Sequence, residues 1–416
     1  MSNSQPSTRK PVSFEAAPPG AAKASPAIWR LLLPGLSASL IGIGLARFAY
    51  TPMLPALISG GWFNAGQASY LGAANLAGYL IGVVGGALAM RHVGAPRLLR
   101  GAMVAATLSF LACAWPAGFF WFLGWRLLSG IGGGITMVLA APAILPHTPP
   151  HRHGIVSGAI FLGVSLGIVL SGTVVPCLLR LGLTPTWLGL AIISALLTVA
   201  GWNGWVEPSG KVPASAAITP QPLPVRQLRL LYLAYGLNAF ALVPHMLFLV
   251  DYVSRGLGRG LESGTHFWVI FGLGSLAGPL IAGRTADRNG YRSTLLSMLV
   301  IEAVAIGLPA FLSASVALAI SSFVTGACTI GIVPVVLGRT REILRHYPEA
   351  QTAAWRSATT SFALLQAAGA YLFSFLLDWS GGDYRLIFAI GSAAMWTAFL
   401  TNMSKRSLAD TQKMPS

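Results

Sequence analysis

Long apolar runs alternate with short polar breaks along almost the whole chain. A bilayer core takes about 20 apolar residues as a helix. Twelve runs of that order occur, at about 31–58, 67–90, 98–115, 118–145, 154–179, 187–206, 228–253, 266–284, 295–312, 315–337, 352–377 and 384–403. Two breaks separate runs that would otherwise merge: the turn signal Trp115-Pro116-Ala117-Gly118, and Ser313-Ala314-Ser315. The pattern predicts an all-α membrane protein with twelve transmembrane helices. Residues 207–227 are the only long polar interruption and divide the helices six and six. The expected organisation is a polar N-terminus over 1–27, a first bundle over 28–206, a linker over 207–227, a second bundle over 228–404 and a tail over 405–416. No apolar signal-peptide core precedes the first run.

Composition agrees. Of the 416 residues, 54% are hydrophobic and 9% charged, against about 25% charged in an ordinary soluble domain. Too few charges exist to cover a water-facing globule, and the chain is too apolar to be disordered. The net charge of +16 does not imply nucleic acid, because Lys and Arg fall in short clusters between apolar runs and not on one soluble face. With the N-terminus inside, 20 Lys and Arg lie in inside segments. Four (Arg180, Arg255, Arg259 and Arg385) lie outside. The positive-inside rule therefore places both termini in the cytoplasm. Cys113, Cys177 and Cys328 all fall within apolar runs, which predicts buried thiols and no disulfide framework.

Two sets of six helices invite a search for an internal repeat. After span 8 the chain reads Gly283-Arg284-Thr285-Ala286-Asp287-Arg288-Asn289-Gly290-Tyr291-Arg292. After span 2 it reads Gly86-Ala87-Leu88-Ala89-Met90-Arg91-His92-Val93-Gly94. Span 4 carries Arg126, Ser129-Gly130 and Gly132-Gly133-Gly134, and span 10 carries Thr325-Gly326 and Gly331. At these residues the chain resembles the major facilitator superfamily. Thr285 stands where that family's loop motif usually has Leu, and Met90 replaces the motif's acid in the first copy. The stretches Gly42 to Pro52 and Tyr70 to Tyr79 look like the YbfB/YjiJ group of bacterial facilitators.

The resemblance implies two six-helix bundles around a cavity lined by spans 1, 4, 7 and 10, in a bacterial inner membrane. It implies no cofactor, a small-molecule substrate and a monomer. It also implies a conformational latch made by Gly283, Asp287, Arg288 and Gly290. Asp287 would face the start of a helix in the opposite bundle, near His153-Gly154, where unpaired N–H groups favour an anion.

Polar groups inside the spans are the candidates for chemistry, since an intramembrane charge is costly and by default functional. Residue counting puts Arg47, Arg126 and His245 about 4–8 Å outward of the middles of spans 1, 4 and 7. A guanidinium binds carboxylate or phosphate bidentately, so Arg47 and Arg126 point to an anionic substrate group; otherwise each snorkels or satisfies helix carbonyls. His245 follows Pro244 and could cap the carbonyl that the proline frees. Asn75, Tyr79, Asn238 and Gln366 are further mid-span polar groups, suited to substrate contact or to interhelical hydrogen bonds. Carboxylates are scarce. Glu302 is near the middle of span 9 and Asp251 near the end of span 7; both are candidate proton carriers, with a supporting role as the alternative for Glu302. His147, His151 and His153 lie in a Pro-bounded loop and lack the ligands of a four-coordinate metal site.

The expectation is a secondary transporter for a small, anionic organic solute. The alternatives are an efflux pump for amphipathic drugs, which would want an acid in its cavity, and a membrane sensor that moves nothing. No metal set or paired Asp suggests an enzyme, and no nucleotide-binding motif suggests ATP as the energy source.

Overall fold

The computed structural model describes residues 28–148, 153–205 and 223–403, and over these it contains twelve long helices and no strand. They are α1 (Leu32–Ser59), α2 (Ala65–Val93), α3 (Ala95–Ala112), α4 (Phe119–Ile144), α5 (His153–Leu179), α6 (Leu183–Gly201), α7 (Val225–Gly256), α8 (Gly260–Asn289), α9 (Tyr291–Phe311), α10 (Ser315–Ile343), α11 (Gln351–Trp379) and α12 (Tyr384–Met403). Eleven are long and apolar enough to cross a membrane. The exception is α3, with 18 residues and with Arg97 and Arg100 near its start. Residues 1–27, 149–152, 206–222 and 404–416 fall outside the described residues, so the N-terminus, part of the histidine loop, the linker and the tail stay as sequence expectations.

Successive helices reverse direction, so the loops collect at two ends. The end carrying the α1–α2 turn is called the first-loop end here, and the end carrying the α2–α3 turn the second-loop end. Local chemistry sets several boundaries. At the start of α2, Asn64 Oδ1 accepts from Gln67 N–H (2.8 Å) and Gln67 Oε1 accepts from Asn64 N–H (3.2 Å), a reciprocal cap that satisfies two donors. At the second-loop end, α2 turns into α3 through Gly94 (φ +83°) and α8 into α9 through Gly290 (φ +79°). Each glycine closes its helix by donating its N–H, Gly94 to Met90 O and Gly290 to Ala286 O. The left-handed φ is what requires glycine at both copies of the loop motif.

Within each half the helices meet backbone to backbone. A methyl group added at Gly78 or Gly82 of α2 would lie 2.0 or 2.2 Å from the carbonyl oxygen of Leu127 or Ile131 on α4. One added at Gly130 of α4 would lie 2.0 Å from Asn75 O. The second half repeats the device: additions at Gly274 and Gly278 of α8 would meet Phe323 O and Ala327 O of α10 at 2.1 and 2.0 Å. Small residues let helices approach closely enough for packing to hold them where lipid removes the hydrophobic driving force. The internal repeat is therefore a packing repeat.

The two halves meet through α2 against α11 and α5 against α8, with the second half of α1 against α7 and α8. Near the first-loop end Thr51 donates its hydroxyl to Met246 O, and Phe48 lies 6.0 Å from Trp268. Trp268 Nε1 donates to Ser171 Oγ (2.8 Å), and a methyl at Gly66 would sit 2.8 Å from Asp378 Oδ1. These contacts seal that end. At the second-loop end Asp287 is exposed and has no partner among the described residues.

Both helices at the centre, α1 and α7, are irregular. A widened turn runs over Leu40–Leu45 in α1, and two occur in α7, over Pro244–Phe248 and Tyr252–Gly256. Their apolar windows are also the most buried in the chain, while α12 is the most exposed. Large apolar groups such as Phe120, Phe311 and Trp379 point out of the bundle, where only lipid can cover them. Cys113 and Cys328 are buried as expected, but Cys177 is exposed: it lies on the outward face of α5, and an apolar run in a membrane protein does not distinguish core from lipid.

Replacing Gly130 by Leu should prevent close α2–α4 packing and lower the yield of folded protein at least severalfold, since even ordinary overpacking costs about 1–3 kcal/mol. Size-exclusion profiles of detergent extracts would show it; a parent-like profile would mean the interface can spread at little cost.

Candidate functional site

A narrow central cavity lies between the halves. Helices α1, α4, α7 and α10 all line it, and α2, α5 and α11 complete the wall. The polar part is small: Arg47 from α1, Tyr79 from α2, Tyr235 from α7, Thr329 from α10 and Gln366 from α11. The rest is apolar, with Phe48, Phe161, Phe362, Met137 and Met246 the largest groups. No carboxylate lines it among the described residues.

Arg47 follows the widened turn of α1 and is half-buried at the cavity wall. Its Nη2 donates to Gln366 Oε1 across the halves. Its guanidinium lies 4.7 Å from the centre of the Tyr79 ring and 5.8 Å from that of Phe48, within cation–π range. Gln366 in turn donates to Met246 Sδ (3.4 Å). A guanidinium has five N–H donors. Here one meets a neutral amide, Nε–H has no partner, and no ion pair is formed among the described residues. Burial of a charge without a counter-ion is expensive, and this guanidinium keeps donors to spare at the cavity wall.

Arg126 behaves differently. It is 2% exposed and does not line the cavity. Its Nη1 donates to Ala46 O (2.7 Å), and its guanidinium lies 4.4 Å from the Tyr50 ring centre. Tyr50 then donates its hydroxyl to Ala68 O (2.7 Å). Arg126 therefore braces α1 immediately after its widened turn, from behind. Asn75 is also behind the wall, donating to Ser129 Oγ (2.9 Å) and Arg126 O (3.3 Å) and so joining α2 to α4.

The remaining candidates sit inside the second half. His245 is fully buried, with Nε2 2.8 Å from Ser321 Oγ. Ser321 gives its one hydroxyl proton to Ala305 O (2.6 Å), so Nε2 carries the donor hydrogen. His245 joins α7 to α10 and does not cap the carbonyl freed by Pro244. Asn238 donates to Glu302 Oε2 (2.7 Å), both fully buried. Asp251 accepts from the Tyr384 hydroxyl and forms an ion pair with Arg255 (3.1 Å). Of the seven substrate candidates, the structure brings Arg47, Tyr79 and Gln366 together at the cavity and places Arg126, His245, Asn75 and Asn238 in helix–helix contacts. Sequence reading missed the aromatic and methionine wall. Its only signal was large apolar residues on spans shared with polar ones, a pattern common to every membrane core.

Two six-helix halves with matching glycine packing, around a cavity lined by broken central helices, define a major facilitator-type transporter. The family model described as "Uncharacterised MFS-type transporter YbfB" matches residues 39–402, and the chain belongs to that family. It is 24% identical over 338 residues to the "Inner membrane transport protein YdhP" of Escherichia coli (strain K12), covering 76% of this chain and 82% of that protein. Two solved structures share the fold at 16% identity. The D-xylose-proton symporter superposes with a TM-score of 0.68, over 90% of this chain and 99% of that one. The partially occluded inward-open xylose transporter XylE from E. coli gives 0.65, over 90% and 96%. The protein is thus a multi-pass inner-membrane transporter.

The different surroundings of the two arginines separate in mutants. Arg126→Ala should cost about 1–3 kcal/mol of stability, the range for a buried group left unsatisfied, and lower the melting temperature of purified protein. Arg47→Ala should leave it near the parent value. Equal losses in both variants would contradict the division.

Proposed function

We propose that the protein moves a small organic anion with an apolar or aromatic body by alternating access. Arg47 is the observation that carries this reading: a guanidinium at the cavity wall with no carboxylate among the described residues to neutralise it. Gln366 and Tyr79 hold it in place, and the Phe and Met wall suits the rest of such a solute. An amphipathic drug cation would suit the same wall, but it would meet Arg47 and no acid.

The orientation follows from charge. Arg97, Arg100, Arg284, Arg288, Arg292, Arg339, Arg341 and Arg345 belong to the second-loop end, and only Arg180, Arg255, Arg259 and Arg385 to the first-loop end. The positive-inside rule makes the second-loop end cytoplasmic, so the sealed end faces the periplasm. Asp287 then belongs to a cytoplasmic latch, with Gly283, Arg288 and Gly290 shaping its turn, which engages the start of α5 when the cytoplasmic side closes. Met90 in the first half cannot repeat it. Asp251 ties α7 to α12 and serves the periplasmic closure, with proton transfer as its alternative role.

Binding is measurable without a known substrate. Purified protein screened by thermal shift against organic anions should gain stability with those that bind the native state. Arg47→Ala should weaken such a ligand by about 1.5–3 kcal/mol, the range for a charge-assisted hydrogen bond, or roughly 10- to 150-fold. Undiminished affinity in well-folded Arg47→Ala would remove the anion from the proposal.

Reporter fusions after Lys211 and after Lys413 should both read as cytoplasmic. A periplasmic signal at either would reverse the assignment of ends.

A further inference from the structure

Behind the cavity wall, α7, α9, α10 and α12 enclose a polar cluster that solute binding does not use. Asn238 of α7 and Glu302 of α9 are both 0% exposed. One hydrogen bond joins them, Asn238 Nδ2–H to Glu302 Oε2 at 2.7 Å. That bond leaves Asn238 Oδ1 and Glu302 Oε1 buried with no partner. Both leftover atoms are acceptors if the carboxyl is ionised, and two acceptors cannot satisfy each other. A proton on Oε1 would supply the donor that the pair lacks, with Oδ1 an unpartnered acceptor on the neighbouring side chain.

We propose that Glu302 is a proton-binding site, closed over its proton by Asn238, whose occupancy is linked to the position of α7. The ligand is a single proton. No Lys or Arg reaches the pair among the described residues. The titratable groups on the packed helices are Cys328 of α10, which is close enough to interact electrostatically with Glu302, and His245 of α7, which is bound to Ser321. From α12 comes Met395, whose sulfur is 3.8 Å from Asn238 Nδ2. Loss of the proton would leave a buried, ionised carboxylate beside the unpartnered Oδ1 of Asn238, with no cation to pair it among the described residues, which is strongly unfavourable. Relief requires Asn238 to turn away or water to enter, and either displaces α7. Asn238 lies at the end of the regular part of α7, where its carbonyl accepts from Leu242 N–H just before the widened turn at Pro244–Phe248. The site therefore acts at the break of the helix that closes against Thr51 of α1 through Met246. The link to transport rests on the function proposed above; the protonation itself does not.

Two measurements on the full chain in nanodiscs test this. Infrared spectra at neutral pH should show the carbonyl stretch of a protonated carboxylic acid. The band should be lost in Glu302→Gln, shifted in Asn238→Ala and kept in Asp251→Asn. Glu302→Gln supplies an amide N–H where the proton was, so it should fold as the parent does. If Glu302→Gln leaves the carbonyl region unchanged, Glu302 is ionised and the site does not exist. For the linkage, spin labels on Leu181→Cys and Phe311→Cys, in a Cys177→Ser background, report the distance between the halves at the first-loop end. Raising the pH from acidic to alkaline should lengthen that distance in the parent and in His245→Asn, but not in Glu302→Gln. A distance independent of pH in the parent, or equally pH-dependent in Glu302→Gln, would overturn the linkage and leave a static acid. A protein that passes both tests yet carries no solute in proteoliposomes would retain the proton site and lose the transporter reading.

Discussion

Hydrocarbon offers no hydrogen-bond partner, so each polar group carried into it must be answered from inside the bundle. This constraint organises most of the polar chemistry in the chain. Asn75, Arg126, Ser129 and Tyr50 answer one another or backbone carbonyls across α1, α2 and α4. His245, Ser321 and Ala305 do the same across α7, α9 and α10. Some buried atoms still lack a partner, among them Arg126 Nε, Trp187 Nε1 and His245 Nδ1. Arg47 keeps donors to spare at the cavity, and the Asn238–Glu302 pair keeps acceptors to spare behind it. On the readings proposed above, the spare donors of Arg47 ask for an anion and the spare acceptors of the Asn238–Glu302 pair ask for a proton.

The central helices connect these places. A widened turn costs regular i to i+4 hydrogen bonds, and it is kept in proteins mostly where it serves a site. In α1 the turn over Leu40–Leu45 precedes Arg47, and Arg126 takes the Ala46 carbonyl just beyond it. In α7 the turn over Pro244–Phe248 exposes Met246 O to Thr51 and Met246 Sδ to Gln366. The irregular parts of the two halves thus touch each other, beside the regular contacts of α2 with α11 and α5 with α8.

Much of the fold was legible in the sequence because its determinants are local. Run length sets the helices, the Trp115 to Gly118 and Ser313 to Ser315 breaks separate α3 from α4 and α9 from α10, and the loop glycines mark the two copies of one turn. The site was legible only as a shortlist. Residue counting gives depth in the membrane, and by that measure Arg47 and Arg126 are alike. Which way a side chain faces depends on rotation about the helix, and a widened turn changes the rotation per residue, so facing cannot be counted through Leu40–Leu45. The partner that fixes Arg47 is 319 positions away. Tyr79 and Gln366 needed the fold to meet it, and the same is true of Glu302 and Asn238.

The two kinds of helix contact differ in what it takes to break them. Inside a half, carbonyl oxygens occupy the space that side chains would need, so α2 against α4 or α8 against α10 cannot slide without collision. Between the halves, the sealed end is held by a few hydrogen bonds, at Thr51 and Ser171, and by ring contacts such as Phe48 with Trp268, with Ser165 adding one to Ser275 O at mid-height. Each such bond contributes about 0.5–1.5 kcal/mol net, a sum within reach of a bound ion and a proton. Under the proposed alternating access the halves would then move as bodies, with the broken turns of α1 and α7 absorbing the change. Arg47 lies just beyond one of those turns and bonds across the gap to Gln366, so a solute that takes over its donors would also loosen the contact between the halves at mid-height.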